Sequence, residues 1–70
     1  MAQFQYFFFN GQQYLTKVPL TILDLIQYFN YNTSLFVLEY NSSICNKKSW
    51  NKIQIKNNDT IEIVTIVGGG

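Results

Sequence analysis

The run Val67-Gly68-Gly69-Gly70 carries the most distinctive chemical group of this chain, the α-carboxylate of Gly70. Glycine has no Cβ, so such a tail can thread a narrow channel that any side chain would block. It also stands the carboxylate clear of a folded body. A free carboxylate is a poor electrophile, because its charge repels nucleophiles and oxide is a poor leaving group. Transfer to the phosphate of ATP, with release of pyrophosphate, makes an acyl-adenylate whose leaving group is good. A persulfide or sulfide nucleophile can then replace AMP and leave a C-terminal thiocarboxylate. In that chemistry the chain supplies the reacting carbonyl and a surface to be recognised; ATP is used by a partner enzyme. Three terminal glycines are also what a frayed end looks like. The residues alone leave both readings open.

The other side chains offer less. Cys45 is a single cysteine, histidine is absent, and no Cys/His spacing suits a zinc site. Cys45 is expected to be a small, half-buried apolar residue. The four acids have structural uses: Asp24 at a helix start, Asp59 in a turn, Glu39 and Glu62 at outward strand positions. No pair is spaced to place two carboxyl groups in a cleft for acid–base work, so the chain is not expected to be an enzyme or to bind a metal or cofactor itself. Asp59 and Glu62 lie near the tail and are candidates for a partner surface.

The net charge is +1, from five lysines and no arginine. Lys47, Lys48, Lys52 and Lys56 form the only clustering, and so sparse a set reads as a solvated face and not as a nucleic-acid site. No apolar stretch is long enough to span a bilayer, and Phe7-Phe8-Phe9 is too short for a signal sequence. The chain is therefore expected to stay where it is made. Its abundant Asn, Ile, Lys, Phe and Tyr have A/T-rich codons. That composition fits a plastid genome, with the plastid stroma as location, or the cytoplasm of an A/T-rich bacterium.

The elements that must position the tail follow from periodicity. With 70 residues, 47% hydrophobic and 17% aromatic, one small domain with an aromatic core is expected over residues 1–66, followed by a flexible tail at 67–70. Residues 3–9 alternate as a strand. Asn10-Gly11 is the strongest short hairpin signal, because both residues accept positive φ, and residues 13–16 form the return strand. Thr21-Ile22-Leu23-Asp24 has the form of a capping box. Ile22, Leu25, Ile26 and Phe29 then make one apolar stripe on a helix of about three turns, stopped by polar residues from Asn30. Residues 35–40 form a third strand, 44–50 a bent edge segment, 53–55 a brief strand and 60–67 the last strand. Asn58 suits a left-handed turn position. One helix among five strand segments is an α+β pattern, and the helix crossing from the second strand to the third permits a parallel pair in the middle.

From Leu38 to Gly70 the chain resembles the ThiS family, the sulfur carriers of thiamine thiazole biosynthesis. The residues that carry the likeness are Asn41, Trp50, Asp59, Ile61-Glu62-Ile63-Val64 and Val67-Gly68-Gly69-Gly70. The strand running into Asn10-Gly11 and the Thr-initiated helix with Leu25 near its centre occupy the family's positions too, so the likeness covers the whole chain. Asn58 stands where that family has a turn glycine, and proline is missing after Asn41, where Cys45 and Asn46 stand. The resemblance implies a β-grasp (ubiquitin-like) fold, a mixed four- to five-stranded sheet packed on one α-helix. It implies adenylation of Gly70 by a ThiF-type E1-like enzyme, a persulfide sulfur donor, and delivery of sulfur to thiazole synthase, ThiG. Gly69, Gly68 and Val67 would enter the partner's active site. It also implies a core of Phe7, Phe9, Ile22, Leu25, Phe36, Leu38, Tyr40, Ile61 and Ile63, which puts Tyr6 and Phe8 on the outer sheet face as candidate partner contacts. Packing against neighbours would equally account for Tyr6 and Phe8, and is the expectation for Trp50. The carriers of molybdopterin synthesis and tRNA thiolation also end in Gly-Gly on this fold. A non-reactive β-grasp interaction module is the alternative of another kind.

Overall fold

The computed structural model describes residues 4–32 and 34–65. Five strands form one mixed sheet: β1 (Gln5–Phe9), β2 (Gln12–Thr16), β3 (Phe36–Tyr40), β4 (Ser43–Cys45) and β5 (Asp59–Thr65). Their spatial order is β2-β1-β5-β3-β4. One helix, α1 (Ile22–Tyr28), packs on a single face, and a 3₁₀ turn covers Lys47–Ser49. This is the β-grasp arrangement. The expected parallel pair is present in the middle of the sheet, between β1 and β5. The helical crossover from β2 delivers β3 beyond the slot beside β1, and β5 fills that slot.

Local chemistry accounts for each boundary. Asn10 (φ 53) and Gly11 (φ 78) are both left-handed, the two-residue turn whose twist matches the strands it joins. Asn41 (φ 51) and Ser42 (φ 72) repeat that geometry between β3 and β4. Thr21 caps α1 as expected: its side chain accepts from the Asp24 amide at 3.1 Å, and Asp24 Oδ2 accepts from the Thr21 amide at 3.0 Å. The two remaining free amides of the first turn, Ile22 and Leu23, donate to the carbonyls of Ile53 and Trp50, each at 3.0 Å. The helix has seven residues, shorter than expected. Asn30 (φ 58) ends it early: the Asn30 amide returns to the Gln27 carbonyl and the Tyr31 amide to the Ile26 carbonyl, a Schellman stop. Among the described residues, no helix is long and apolar enough to cross a membrane.

The core faces α1. Phe7, Phe9, Ile22, Leu25, Phe36, Leu38 and Ile61 are buried as expected, with Tyr40 and Ile63 half-buried against them. Ile26, Trp50 and Ile55 complete it. Trp50 stacks on Phe36 with ring centroids 5.8 Å apart and donates from Nε1 to the Cys45 carbonyl at 3.3 Å. Residues 53–55 are not a sheet strand. They make one bridge, Gln54 to Thr21, and the Ile55 amide donates to the Leu20 carbonyl at 2.8 Å. Their partner is the chain entering the helix, which is why no alternation announces them.

Asp59, expected on a partner surface, is buried at 7% exposure on the helix side of β5. Its Oδ2 accepts from the Tyr40 hydroxyl at 2.6 Å and the Lys56 amide at 2.7 Å, and its Oδ1 from Asn41 Nδ2 at 3.1 Å. A buried carboxylate is tolerable only when its lone pairs are engaged in this way, so Asp59 anchors the start of β5 and is withdrawn from partner contact. The preceding turn has Asn58 left-handed (φ 70), as expected, and docks on β1 through the Asn58 amide to the Tyr6 carbonyl at 2.6 Å.

Two measurements check this packing. Ile55→Ala leaves a void at a fully buried site and is expected to lower stability by ~2–5 kcal/mol in urea unfolding. Burial first, and the neighbouring Asp59 carboxylate second, push the Tyr40 phenol from its usual 10 up to about 12. Folding therefore favours the protonated phenol. Its contribution is intact below pH 10 and is lost as pH rises from 10 towards 12. Tyr40→Phe should lower stability at pH 7 by ~1–3 kcal/mol, through the under-bonded Asp59, and flatten the alkaline loss in that window.

Candidate functional site

The residues from 66 onward, Val67, Gly68, Gly69 and Gly70 among them, lie outside the described residues. What the structure defines is the strand that leads to them. β5 is the middle strand of the sheet, in parallel register with β1 up to Phe9↔Ile61 and antiparallel to β3 up to Phe36↔Thr65. β5 is thus paired with β1 over its first half only and with β3 as far as Thr65, so the last described part of the strand is held by β3.

Two asparagines complete that hold, one at each turn beside β5. On the β3 side, the Asn41 amide donates to the Thr60 carbonyl at 2.7 Å, and Asn41 Oδ1 accepts from the Thr60 amide at 2.8 Å. On the β1 side, the Asn10 amide donates to the Ile61 carbonyl at 2.9 Å, and Asn10 Oδ1 accepts from the Ile63 amide at 2.8 Å. Sequence reading identified Asn10 as a turn residue and Asn41 as part of the family likeness, and missed these second roles. The partners stand 53 and 19 positions away, so the only local signal is an Asn where glycine would also fit.

The side of the sheet away from α1 gathers the remaining expected residues. Tyr6 (46% exposed), half-buried Phe8 and exposed Glu62 all project there, with exposed Leu15, Ile44 and Val64. Glu39 stands directly opposite Glu62 in the β3–β5 register. The face is thus apolar with two adjoining carboxylates near its middle. The exposed Lys47, Lys48, Lys52 and Lys56 belong to the segment beyond β4 and the turn before β5. Among the described residues, no three His, Cys, Asp or Glu side chains assemble as a metal site.

Cys45 is half-buried on the helix side of β4, as expected, and its thiol donates weakly to the Asn46 carbonyl at 3.8 Å. Burial pushes the Cys45 thiol up, away from the thiolate that nucleophilic sulfur chemistry requires. The half-buried thiol packs against the core, and the described body presents an open, largely apolar sheet face and a central strand that leads toward the glycines.

Comparison with known proteins fits this body. The model described as the ThiS family matches residues 7–70. The ycf40 protein of Trieres chinensis is 64% identical over 64 residues, which cover 91% of this chain and 88% of its own. The sulfur carrier protein ThiS of Bacillus subtilis (strain 168) is 34% identical over 50 residues, covering 71% of this chain and 76% of its own. A solved structure, that of a thiamine biosynthesis protein (ThiS) from Geobacter metallireducens, matches with a TM-score of 0.81 over 94% of this chain and 100% of that one. At 17% identity, that likeness concerns the fold. The chain thus belongs to the ThiS family: it is a small ubiquitin-like sulfur carrier on a β-grasp fold, and not a catalyst in its own right.

Proposed function

We propose that the sulfur is carried as a thiocarboxylate on Gly70 and is destined for the thiazole of thiamine. The observation that carries this reading is the family match, which runs through Val67-Gly68-Gly69-Gly70 to residue 70. A ThiF-type E1-like enzyme directs a carboxylate oxygen of Gly70 to the α-phosphorus of ATP, forming the acyl-adenylate and releasing pyrophosphate. Sulfide then displaces AMP from the carbonyl and yields the thiocarboxylate. With a persulfide donor, the terminal sulfur adds first, and a thiol cleaves the resulting S–S bond to free the same product. Thiazole synthase, ThiG, is the acceptor. The thiamine pathway is favoured over molybdopterin or tRNA thiolation by the match to the ThiS family and by the 34% identity to the Bacillus sulfur carrier protein ThiS. Residues 67–70 act as the tail that enters each partner's active site. ATP serves the partner.

The adenylating partner docks on the open sheet face, through Tyr6, Phe8 and Glu62. Like charges directly opposite in a sheet repel, so the Glu39–Glu62 pair costs stability in the free chain. A partner cation placed between them relieves that cost, and such complementarity acts mostly on association rate and specificity. Relatives in Trieres chinensis, Porphyra purpurea and Pyropia yezoensis bear the name ycf40, used for plastid reading frames, which supports plastid encoding and a stromal location.

Incubation of the full chain with a ThiF-type enzyme, ATP and sulfide should raise its intact mass by the difference between sulfur and oxygen, with the change confined to the C-terminal peptide. No mass change with a partner proven active on its own carrier would sink the proposal. One serine added after Gly70 should abolish the conversion and leave the circular dichroism spectrum unchanged. The double substitution Glu39→Gln with Glu62→Gln is expected to raise stability by ~0.2–1 kcal/mol and to weaken the salt dependence of association with the adenylating enzyme.

A further inference from the structure

Asn10 carries more than its turn requires. β1 pairs with β5 in parallel as far as Phe9↔Ile61, and the chain then swings away at Asn10 (φ 53). In a parallel ladder, the next β5 amide to be satisfied on that edge is Ile63, and its partner would be the backbone carbonyl of residue 10. The left-handed turn takes that carbonyl out of line. The Asn10 side-chain carbonyl replaces it, accepting from the Ile63 amide at 2.8 Å.

The amide that makes this contact is itself oriented. Only its oxygen can accept from Ile63 N–H, so Nδ2 is left to donate, and it reaches the Tyr31 hydroxyl at 3.3 Å. The Tyr31 ring is held edge-on by Phe9 and by Phe36, with centroids 5.8 and 5.7 Å away. Phe36 is in register with Thr65, the last described residue of β5. The bracing thus runs from the hairpin turn through Tyr31 to Phe9 on β1 and Phe36 on β3, the strands on either side of β5. Glycine would satisfy the left-handed backbone at least as well as asparagine, so the turn alone does not explain the side chain.

We propose that Asn10 is a positioning residue for sulfur transfer: its side-chain amide extends the β1–β5 ladder by one rung at Ile63, so that the outgoing end of β5, as far as Thr65, is held in one direction. The proposal rests on the carrier reading of Gly70. It predicts an effect on how often a docked carrier presents its terminus, and none on docking itself, because the Asn10 side chain is engaged by Ile63 and Tyr31 within the chain.

Asn10→Gly keeps the turn and removes the amide; Asn10→Asp keeps an acceptor oxygen on a residue that still tolerates positive φ. Amide hydrogen exchange of the full chain should show Ile63 exchanging about threefold to tenfold faster in Asn10→Gly, the size of one net hydrogen bond, with Phe7 and Phe9 unchanged. Conversion by a ThiF-type enzyme with ATP and sulfide should show kcat falling by a similar factor at unchanged KM. Asn10→Asp should restore both. Tyr31→Phe removes only the hydroxyl that orients the amide, and should give the same signature at smaller size. Unchanged Ile63 exchange in Asn10→Gly overturns the proposal. So does equal loss of protection at Phe7 and Phe9, which assigns Asn10 to global stability, or a raised KM at unchanged kcat, which assigns it to docking. Failure of the carrier reading looks different, since the unsubstituted chain then goes unconverted while the exchange comparison still reports on Ile63.

Discussion

A central strand needs hydrogen-bond partners along both edges, and β5 is flanked by two strands that each turn away beside it. β1 and β3 both reach their left-handed turns at the level of Ile61, so the ladder bonds next to those turns have no regular backbone acceptor. Asparagine resolves this twice, because it accepts positive φ and carries a carbonyl that can stand in for the missing one. Asn41 serves the incoming half of β5 at Thr60 and Asn10 the outgoing half at Ile63. The sheet order, the burial of Ile61 between its neighbours and the direction of the strand that leads to the glycines all depend on β5 being held in this way.

The same strand divides the molecule into a face that packs on the core and a face that stays open. Asp59, Ile61 and Ile63 turn toward α1 and the aromatic core, while Thr60, Glu62 and Val64 turn outward. In a chain this small, the core must use one face of the sheet and one stripe of the helix almost completely. Carrier chemistry asks little more of the body. In the proposed chemistry the reactive groups belong to the partners, so the carrier needs no nucleophile of its own.

Asp59 shows how a polar residue can be spent on architecture. Its carboxylate is taken out of water and compensated by three donors, one each from β3, the β3–β4 turn and the turn before β5. Those three segments are thereby fixed relative to one another at the start of the strand. Glu62, three residues on, has the opposite fate, since an outward position beside Glu39 leaves it exposed and repelled.

Much of this was legible in the residues. The Asn-Gly turn, the Thr21–Asp24 capping box, the Ile22–Leu25–Ile26 stripe and the left-handed Asn58 follow from local stereochemistry and from periods of 2 and 3.6, which a single chain displays along its own length. The chemistry available to a glycine-ended carboxylate is likewise a property of residue types. The inward set Phe7, Phe9, Phe36, Leu38 and Ile61 came from the family resemblance, because alternation shows two faces of a strand without saying which is buried. Tertiary structure decided the rest, because each remaining feature depends on a partner remote in sequence. The slot of β5 beside β1, the burial of Ile55 against the chain entering the helix, the withdrawal of Asp59 from the surface and the second use of Asn10 and Asn41 all arise from contacts that no local pattern encodes. The sequence by itself determined what each segment can form; only the packed sheet decided which of its polar groups stay exposed, since burial is a property of the neighbours a residue acquires and not of the residue alone.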